Sequence, residues 1–426
     1  MPGAGDRLRA LDAFRGATVA LMILVNNPGS WRHLYPPLAH ASWHGCTPTD
    51  LVFPFFLFAV GNALALTLPP LLQRPAAQVA LRIARRAALI FLIGLALNAS
   101  PFVRWDAVGE LVSRNWETLR LMGVLQRIAL AWGAAALLLW AGAAWVAGLG
   151  RAGAARTGTG RGAATDAHPD TDTALVRVAL LLAAALLLGY WAACVTFAHG
   201  TDPYSLEGFF GTHVDRAWLG AAHLYRGEGV PFDPEGLAST VPAVAQVLLG
   251  YAVGRVVART AGRGPIDDAL LVRLFVAALG LLVLAYVWQL AVPVNKKIWS
   301  SSYVLLTTGL AMAALALALR AIEQRGAQGA WVGWLQAHGR HALFIFVLSG
   351  FVPRVLALVR WSDGVDTEGR PRWITPLPWL YRTAFEPLGS WVGDARFGSL
   401  AFAVTNLAVY TVIVVAFDRR GLRWRV

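Results

Sequence analysis

The chain has 426 residues, of which 57% are hydrophobic and 14% charged. A soluble domain carries roughly 25% charged residues, so this composition excludes an ordinary water-soluble globule. The net charge of +13 invites a nucleic-acid reading, but the basic residues are scattered between apolar runs and form no single stripe.

Ten apolar runs follow in chain order, over roughly 10–27, 49–68, 84–100, 121–148, 175–198, 239–258, 269–291, 302–320, 341–359 and 397–417. Most reach the roughly 17–25 residues that a membrane helix needs. The predicted fold is therefore an all-α, polytopic membrane helix bundle of about ten transmembrane helices. The 18 Trp and 42 Gly suit interfacial aromatics and close helix contacts. The third run is short, and the fourth carries Arg120 and Arg127, so its helix is expected to start late. Ten crossings place both termini on one side. Most of the 37 Lys and Arg fall on that side and the acids lean the other way, so both termini are expected in the cytoplasm.

The chain reads as one transmembrane domain over 1–426, interrupted by a Gly/Ala/Thr-rich flexible cytoplasmic loop at 149–174. No internal repeat is evident. Ala39-His40-Ala41 has the small-x-small form of a leader cleavage site, but it lies too far past the first apolar run. Cys46 and Cys194 both fall near the outer face, and a bridge between them is left open. No CxxC or Cys/His spacing exists, so no metal site is expected.

Polar groups within apolar runs are costly, about 2.5–3.5 kcal/mol for an ionised Asp or Arg at mid-bilayer, which makes them functional candidates. Asp12 and Arg15 lie three apart at the start of the first run, on one helical face. They serve either as an interfacial anchor or as charges placed for a ligand entering from the cytosol. The first run ends in Asn26, and Thr47-Pro48-Thr49-Asp50 opens the second. Capping by Thr47 or Thr49 and the helix dipole suffice to explain Asp50. His40 lies in the loop between, near an amide and a carboxylate that can orient its ring, as a general base requires. An incidental loop histidine is the other reading.

Arg127, beside Gln126, begins an otherwise apolar helix and either snorkels or turns inward. Asp233 and Glu235 precede the sixth run, while Asn295, Lys296, Lys297 and Trp299 precede the eighth. These acids and lysines either clamp the two loops together or form a polar floor for a hydroxylated substrate. Trp299 would then stack on a sugar ring.

Seven motifs in register carry a resemblance: LDAFRG (11–16), LMILVN (21–26), HASWHG (40–45), TDLVFPFFLF (49–58), GVLQRIAL (123–130), DPEGLAST (233–240) and PVNKKIWSSSYVL (293–305). The chain resembles the transmembrane N-acetyltransferases typified by heparan-alpha-glucosaminide N-acetyltransferase and their bacterial relatives, over roughly residues 7–350. The resemblance implies transfer of an acetyl group from cytosolic acetyl-CoA, with no metal, to a glucosamine-type amino sugar across the membrane. It implies His40 as the active-site histidine and Asn26 as the matching asparagine. It also implies a bacterial member in the cell inner membrane, without the large lumenal domain and extra helix of the animal enzyme. His44, and His341 in Gly339-Arg340-His341, depart from the family pattern, which has Asn at both places.

On this reading His40 acts as base or as acetyl carrier, Asn26 supports the oxyanion and Asp50 orients the ring. Asp233, Glu235, Asn295, Lys296, Trp299 and Arg127 face the sugar, while Asp12 and Arg15 meet the donor. The partners are acetyl-CoA, a sugar acceptor and the lipid bilayer, with no nucleic acid, and a homodimer is compatible. Two other readings stand beside it: a multi-pass transporter for a sugar or glycan fragment, and a sensor or scaffold subunit.

Overall fold

The computed structural model describes residues 8–106, 109–157 and 169–422. Hydrocarbon offers backbone groups no partner, so apolar runs close their hydrogen bonds internally as helices. The helices are α1 (Arg9–Asn26), α2 (Val52–Leu72), α3 (Ala76–Ala99), α4 (Val124–Thr157), α5 (Pro169–Thr196), α6 (Phe210–Leu219) and α7 (Thr240–Ala261). They continue with α8 (Asp268–Trp288), α9 (Ser301–Ala318), α10 (Ala330–Arg340), α11 (Ala342–Leu356), α12 (Pro376–Leu380), α13 (Glu386–Val392) and α14 (Ala395–Arg419).

Among the described residues, seven helices are long and apolar enough to cross a membrane: α2, α4, α5, α7, α8, α9 and α14. The pair α10–α11, bent by 76° at His341, makes an eighth if it counts as one span. That bend replaces the straight ninth run expected over 341–359. Helices α1 and α3 occupy the first and third runs but carry Arg9, Asp12 and Arg15, and Arg82, Arg85 and Arg86. Those arginines hid the first turns of α3, which begins at Ala76 rather than near residue 84. Helix α4 begins at Val124, late as expected. Helices α4 and α5 reach into the segment read as a flexible loop, and 158–168 lie outside the described residues.

Two antiparallel hairpins cap one end of the bundle. Strands β1 (Val103–Trp105) and β2 (Leu111–Ser113) form one, and β3 (Trp361–Val365) and β4 (Pro371–Ile374) the other. Arg360 joins them by lying between the rings of Trp105, at 3.9 Å, and Trp373, at 4.5 Å. Helices α5, α8 and α14 leave Leu181, Val276 and Val412 exposed, a periphery suited to lipid rather than water.

Small residues let backbones touch at the centre. A Cβ on Gly61 of α2 would lie 2.2 Å from the Val247 carbonyl oxygen of α7, and one on Gly250 lies 2.4 Å from the Phe58 oxygen. Helices α1 and α10 approach as closely. A Cβ on Gly16 would sit 1.8 Å from the Leu335 oxygen, and one on Gly339 1.9 Å from the Asp12 oxygen. This contact fixes α1, which holds Asn26 at its far end.

Gly16→Val should force α1 and α10 apart and cost about 3 kcal/mol or more, since overpacking against backbone cannot relax by side-chain rotation. Gly280→Val, with nothing within 4 Å, should leave stability unchanged. Melting temperatures of the purified variants in detergent check both, and equal melting temperatures refute the contact.

Candidate functional site

The site grows from the start of α2. A short 3₁₀ turn, Pro48–Leu51, leads into that helix. Asp50 is 1% exposed and its Oδ2 accepts the backbone N–H of Ala41 and of Thr47, both at 3.0 Å. The second of these is the carboxylate half of a capping box. Oδ1 lies 2.7 Å from His40 Nδ1 and 3.2 Å from Lys296 Nζ. A carboxylate only accepts, so Nδ1 carries the proton and Nε2 keeps its lone pair. Lys296 Nζ, 3.1 Å from the same Nδ1, therefore directs its hydrogen bond to Asp50.

Asn26, at the end of α1, is exposed and its side chain makes no hydrogen bond among the described residues. It faces a cavity of about 160 Å³ shared with His40, Thr49, Glu235 and Lys296. Apolar walls come from Met22 and Val25 of α1, Val52, Phe53 and Phe56 of α2, Val124 and Ile128 of α4, and Phe346 of α11. The imidazole and the amide expected together from the sequence thus meet at one cavity mouth, and the Asp50 carboxylate stands buried behind the ring.

The second group lies beside them. Arg120 grips Asp233 with two hydrogen bonds, of 2.9 and 2.7 Å, and also pairs with Glu235. Burial works against the charge on Arg120, but the two carboxylates hold its pKa above the ordinary value. Burial likewise opposes ionising Glu235, yet Arg120, Arg127 and Lys296 hold its carboxyl below the usual range. Glu235 reaches the cavity; Asp233, 1% exposed, does not line it.

Arg127 has no exposed surface. Its Nη2 donates to Pro234 O at 2.6 Å and to Ser239 Oγ, and its guanidinium lies 4.9 Å from the Trp299 ring centroid. It pins the Asp233–Ser239 loop from behind. Trp299 is equally buried, packed edge-on against Phe53 at 4.9 Å. Asn295 is buried too, accepting from Ile298 N at 3.1 Å and contacting His44 Nδ1 at 3.3 Å. These three residues shape the wall rather than open onto the cavity.

The expected ion pairs between the two loops form differently. The acids turn to Arg120, while Lys296 goes to Asp50 and Lys297 to Glu228 at 2.6 Å. Asp12 and Arg15 pair at 3.4 Å and line a separate cavity near the opposite end of α1. Cys46 and Cys194 are both free, and burial pushes the Cys46 thiol up to about 12. Among the described residues no group of three or more His, Cys, Asp or Glu forms a metal cage.

Sequence reasoning missed Arg120 as the clamp and Asp215 altogether. Two acids in one loop, Asp233 and Glu235, were the available signal for a buried arginine partner. Asp215 of α6 accepts Leu237 N at 2.8 Å and Ala238 N at 3.3 Å, and nothing in its surroundings in sequence marks it.

Residues 7–110 match the model of a domain of unknown function, DUF5009. The chain is similar to heparan-alpha-glucosaminide N-acetyltransferase of Homo sapiens, 29% identical over 348 residues, covering 77% of this chain and 50% of the relative. It is similar to the Mus musculus protein of the same name, 28% identical over 353 residues, covering 78% and 51%. The chain spans about half the length of these relatives. The resemblance carried by the seven motifs is thus matched by relatives of that name across most of the chain.

Burial raises the Asp215 carboxyl to about 6. The unfolded chain releases the same proton near 3.9. The bound proton therefore stabilises the fold fully below about pH 4, and that contribution, about 3 kcal/mol, is lost as pH rises through about 6. Asp215→Asn should flatten the decline in unfolding free energy across that window. Denaturation measured at pH 4, 5, 6 and 7 checks it, and an unchanged slope overturns the assignment.

Proposed function

We propose that this chain is a transmembrane N-acetyltransferase that takes an acetyl group from acetyl-CoA on the cytoplasmic side and passes it to an amino sugar on the outer side. One observation carries the reading. His40, oriented by Asp50 through Nδ1, opens on a cavity shared with Asn26, whose amide has no partner among the described residues. The names of the relatives, N-acetyltransferases acting on a glucosaminide, supply the group transferred and the class of acceptor.

The chemistry follows from the tautomer. With Nδ1–H donated to Asp50, Nε2 is the basic nitrogen. In direct transfer, the neutral sugar amine attacks the thioester carbonyl, Nε2 takes the amine proton and the C–S bond breaks, releasing a thiolate that the imidazolium protonates. In the two-step route, Nε2 itself attacks and the C–S bond breaks to release the thiolate; the neutral amine then attacks the acetyl carbon, the C–Nε2 bond breaks, and the freed imidazole takes the amine proton and passes it to the thiolate. Asp50 stabilises the positive ring in both. Asn26 Nδ2 donates to the oxyanion that forms on the carbonyl oxygen. Glu235, on the same cavity, suits the cationic amino sugar as it arrives.

The bundle alternates direction through α1 to α14, with α10–α11 taken as one crossing and α1 and α3 as crossings despite their charges. That count is ten, so both termini lie on one side. We assign that side to the cytoplasm by the positive-inside rule, and the membrane to the bacterial inner membrane. The loops bearing His40, Asp233 and Lys296 then share the outer face.

His40→Ala should lower kcat for acetyl transfer at least 100-fold in purified protein supplied with acetyl-CoA and a panel of amino sugars. Product masses identify the acceptor. Full activity in the variant refutes the role of His40. Radiolabelled acetyl retained on the wild-type protein but absent from His40→Ala selects the two-step route.

A further inference from the structure

Two neighbouring lysines stand before α9, and the fold uses them differently. Lys297 Nζ donates to Ser42 O at 2.7 Å and pairs with Glu228 at 2.6 Å, tying its loop to two others. Lys296 turns into the His40 cavity instead. Its ammonium stands 3.2 Å from Asp50 Oδ1 and 3.1 Å from His40 Nδ1.

Hydrogen bonding alone does not call for this ammonium. Oδ2 of Asp50 already accepts from the Ala41 and Thr47 amides, both at 3.0 Å, and Oδ1 accepts from His40 at 2.7 Å. Each carboxylate oxygen thus has an N–H donor without Lys296. Holding a long side chain in one geometry also carries an entropy cost. What the ammonium adds is a positive charge beside one atom, His40 Nδ1.

That charge acts differently on the two states of the ring. A neutral imidazole directs its Nδ1 proton to Asp50, and the ammonium directs its own to the same oxygen. A ring that gains a proton or an acetyl group at Nε2 becomes a cation and faces a like charge 3.1 Å away. Asp50 favours the charged ring and Lys296 opposes it. The remaining charged and titratable groups about the ring have partners of their own. Glu235, on the same cavity, is paired with Arg120 and has Arg127 behind it, while His44 accepts from Asn295 at 3.3 Å.

We infer that Lys296 is a positioning residue that shares Asp50 Oδ1 with His40, keeps the resting ring neutral and shortens the life of the cationic ring formed during transfer. The inference rests on the acetyltransferase reading and adds to it the residue that sets how readily His40 releases what it takes. In direct transfer that is the amine proton, which leaves Nε2 for the thiolate. In the two-step route it is the acetyl group, released when the amine nitrogen bonds the acetyl carbon and the C–Nε2 bond breaks. Lys296 neither gains nor loses a proton in either route. With Asp50 alone, His40 would be a stronger base and a slower donor.

Lys296→Gln keeps an N–H donor and removes the charge, so the cationic ring should form at higher pH. The acidic limb of kcat/KM for acetyl transfer by the full-length variant should move up by about one pH unit, tenfold in proton affinity. Lys296→Arg should restore the wild-type limb. Carbethoxylation of His40 by diethyl pyrocarbonate needs the neutral ring and no acyl donor. Followed by peptide mass spectrometry between pH 5 and 8, it should show the same displacement. Lys296→Met repeats both measurements without a side-chain hydrogen bond, and melting temperatures identify any variant that folds poorly. A purely structural lysine would change the melting temperature or kcat and leave both pH midpoints in place. Midpoints that coincide in the Gln, Met and wild-type proteins overturn the proposal, as does an Arg variant that behaves like the Gln one. Wild-type protein that transfers no acetyl, while the carbethoxylation midpoint still moves in the variants, sinks the enzyme reading and leaves the charge coupling standing. Transfer with unmoved midpoints does the reverse.

Discussion

The carboxylate of Asp50 is the constraint on which the site depends. A charge buried at the edge of hydrocarbon is tolerated only when donors saturate it, because desolvation otherwise outweighs any single attraction. Asp50 is surrounded by the Ala41 and Thr47 amides, the His40 ring and the Lys296 ammonium. Its own carbonyl accepts the Tyr303 hydroxyl at 2.6 Å. Those partners come from the loop after α1, the cap of α2 and the segment that opens α9. One side chain therefore holds the loop after α1 and the cap of α2 to a segment some 250 residues further along the chain. The orientation of His40 is a by-product of solving that burial problem.

A second charge knot leans on the first. Arg120 neutralises Asp233 and Glu235, and Arg127 holds the carbonyls that follow them. Trp299 and Phe53 stand between the two knots, and Arg127 rests on the faces of both rings. The aromatic pair shields the charges from each other's water while Phe53 forms cavity wall. Moving either loop would expose an arginine or a carboxylate, so the charges hold both loops against the cavity wall.

Much of this was legible in the sequence, for physical reasons. Apolar length marks a membrane helix, so α2, α5, α7, α8 and α9 were read close to their observed bounds. Arginine-bearing helices were harder, since Arg82, Arg85 and Arg86 made the start of α3 look like loop. The 76° bend at His341 left no sign, because a run of apolar residues does not record its direction. Asn26, His40 and Asp50 were legible because they sit on two helix ends joined by one loop. The roles of Asn295, Trp299 and Arg127 were not. Their residue types suit a sugar site and a packed wall equally, and only burial distinguishes the two. Lys296 was expected at a substrate; it lines the cavity and also bonds Asp50, a contact across 246 residues that no local pattern encodes.

The two cavities bear on which of the competing functions this bundle suits. A transporter needs one site that opens alternately to each side, usually between repeated halves. Here two differently built cavities stop on either side of one turn of α2. The upper offers an imidazole and an amide, and the lower offers arginines. Beside that turn, Phe14 packs on Phe55 at 5.6 Å and on Phe58 at 5.9 Å, bracing the partition. A whole sugar would have to dismantle those contacts to cross. On the proposed function, an acetyl group carried on a thin arm needs only a gap between side chains. The chemical asymmetry of the cavities therefore fits the proposed group transfer better than the passage of a whole solute.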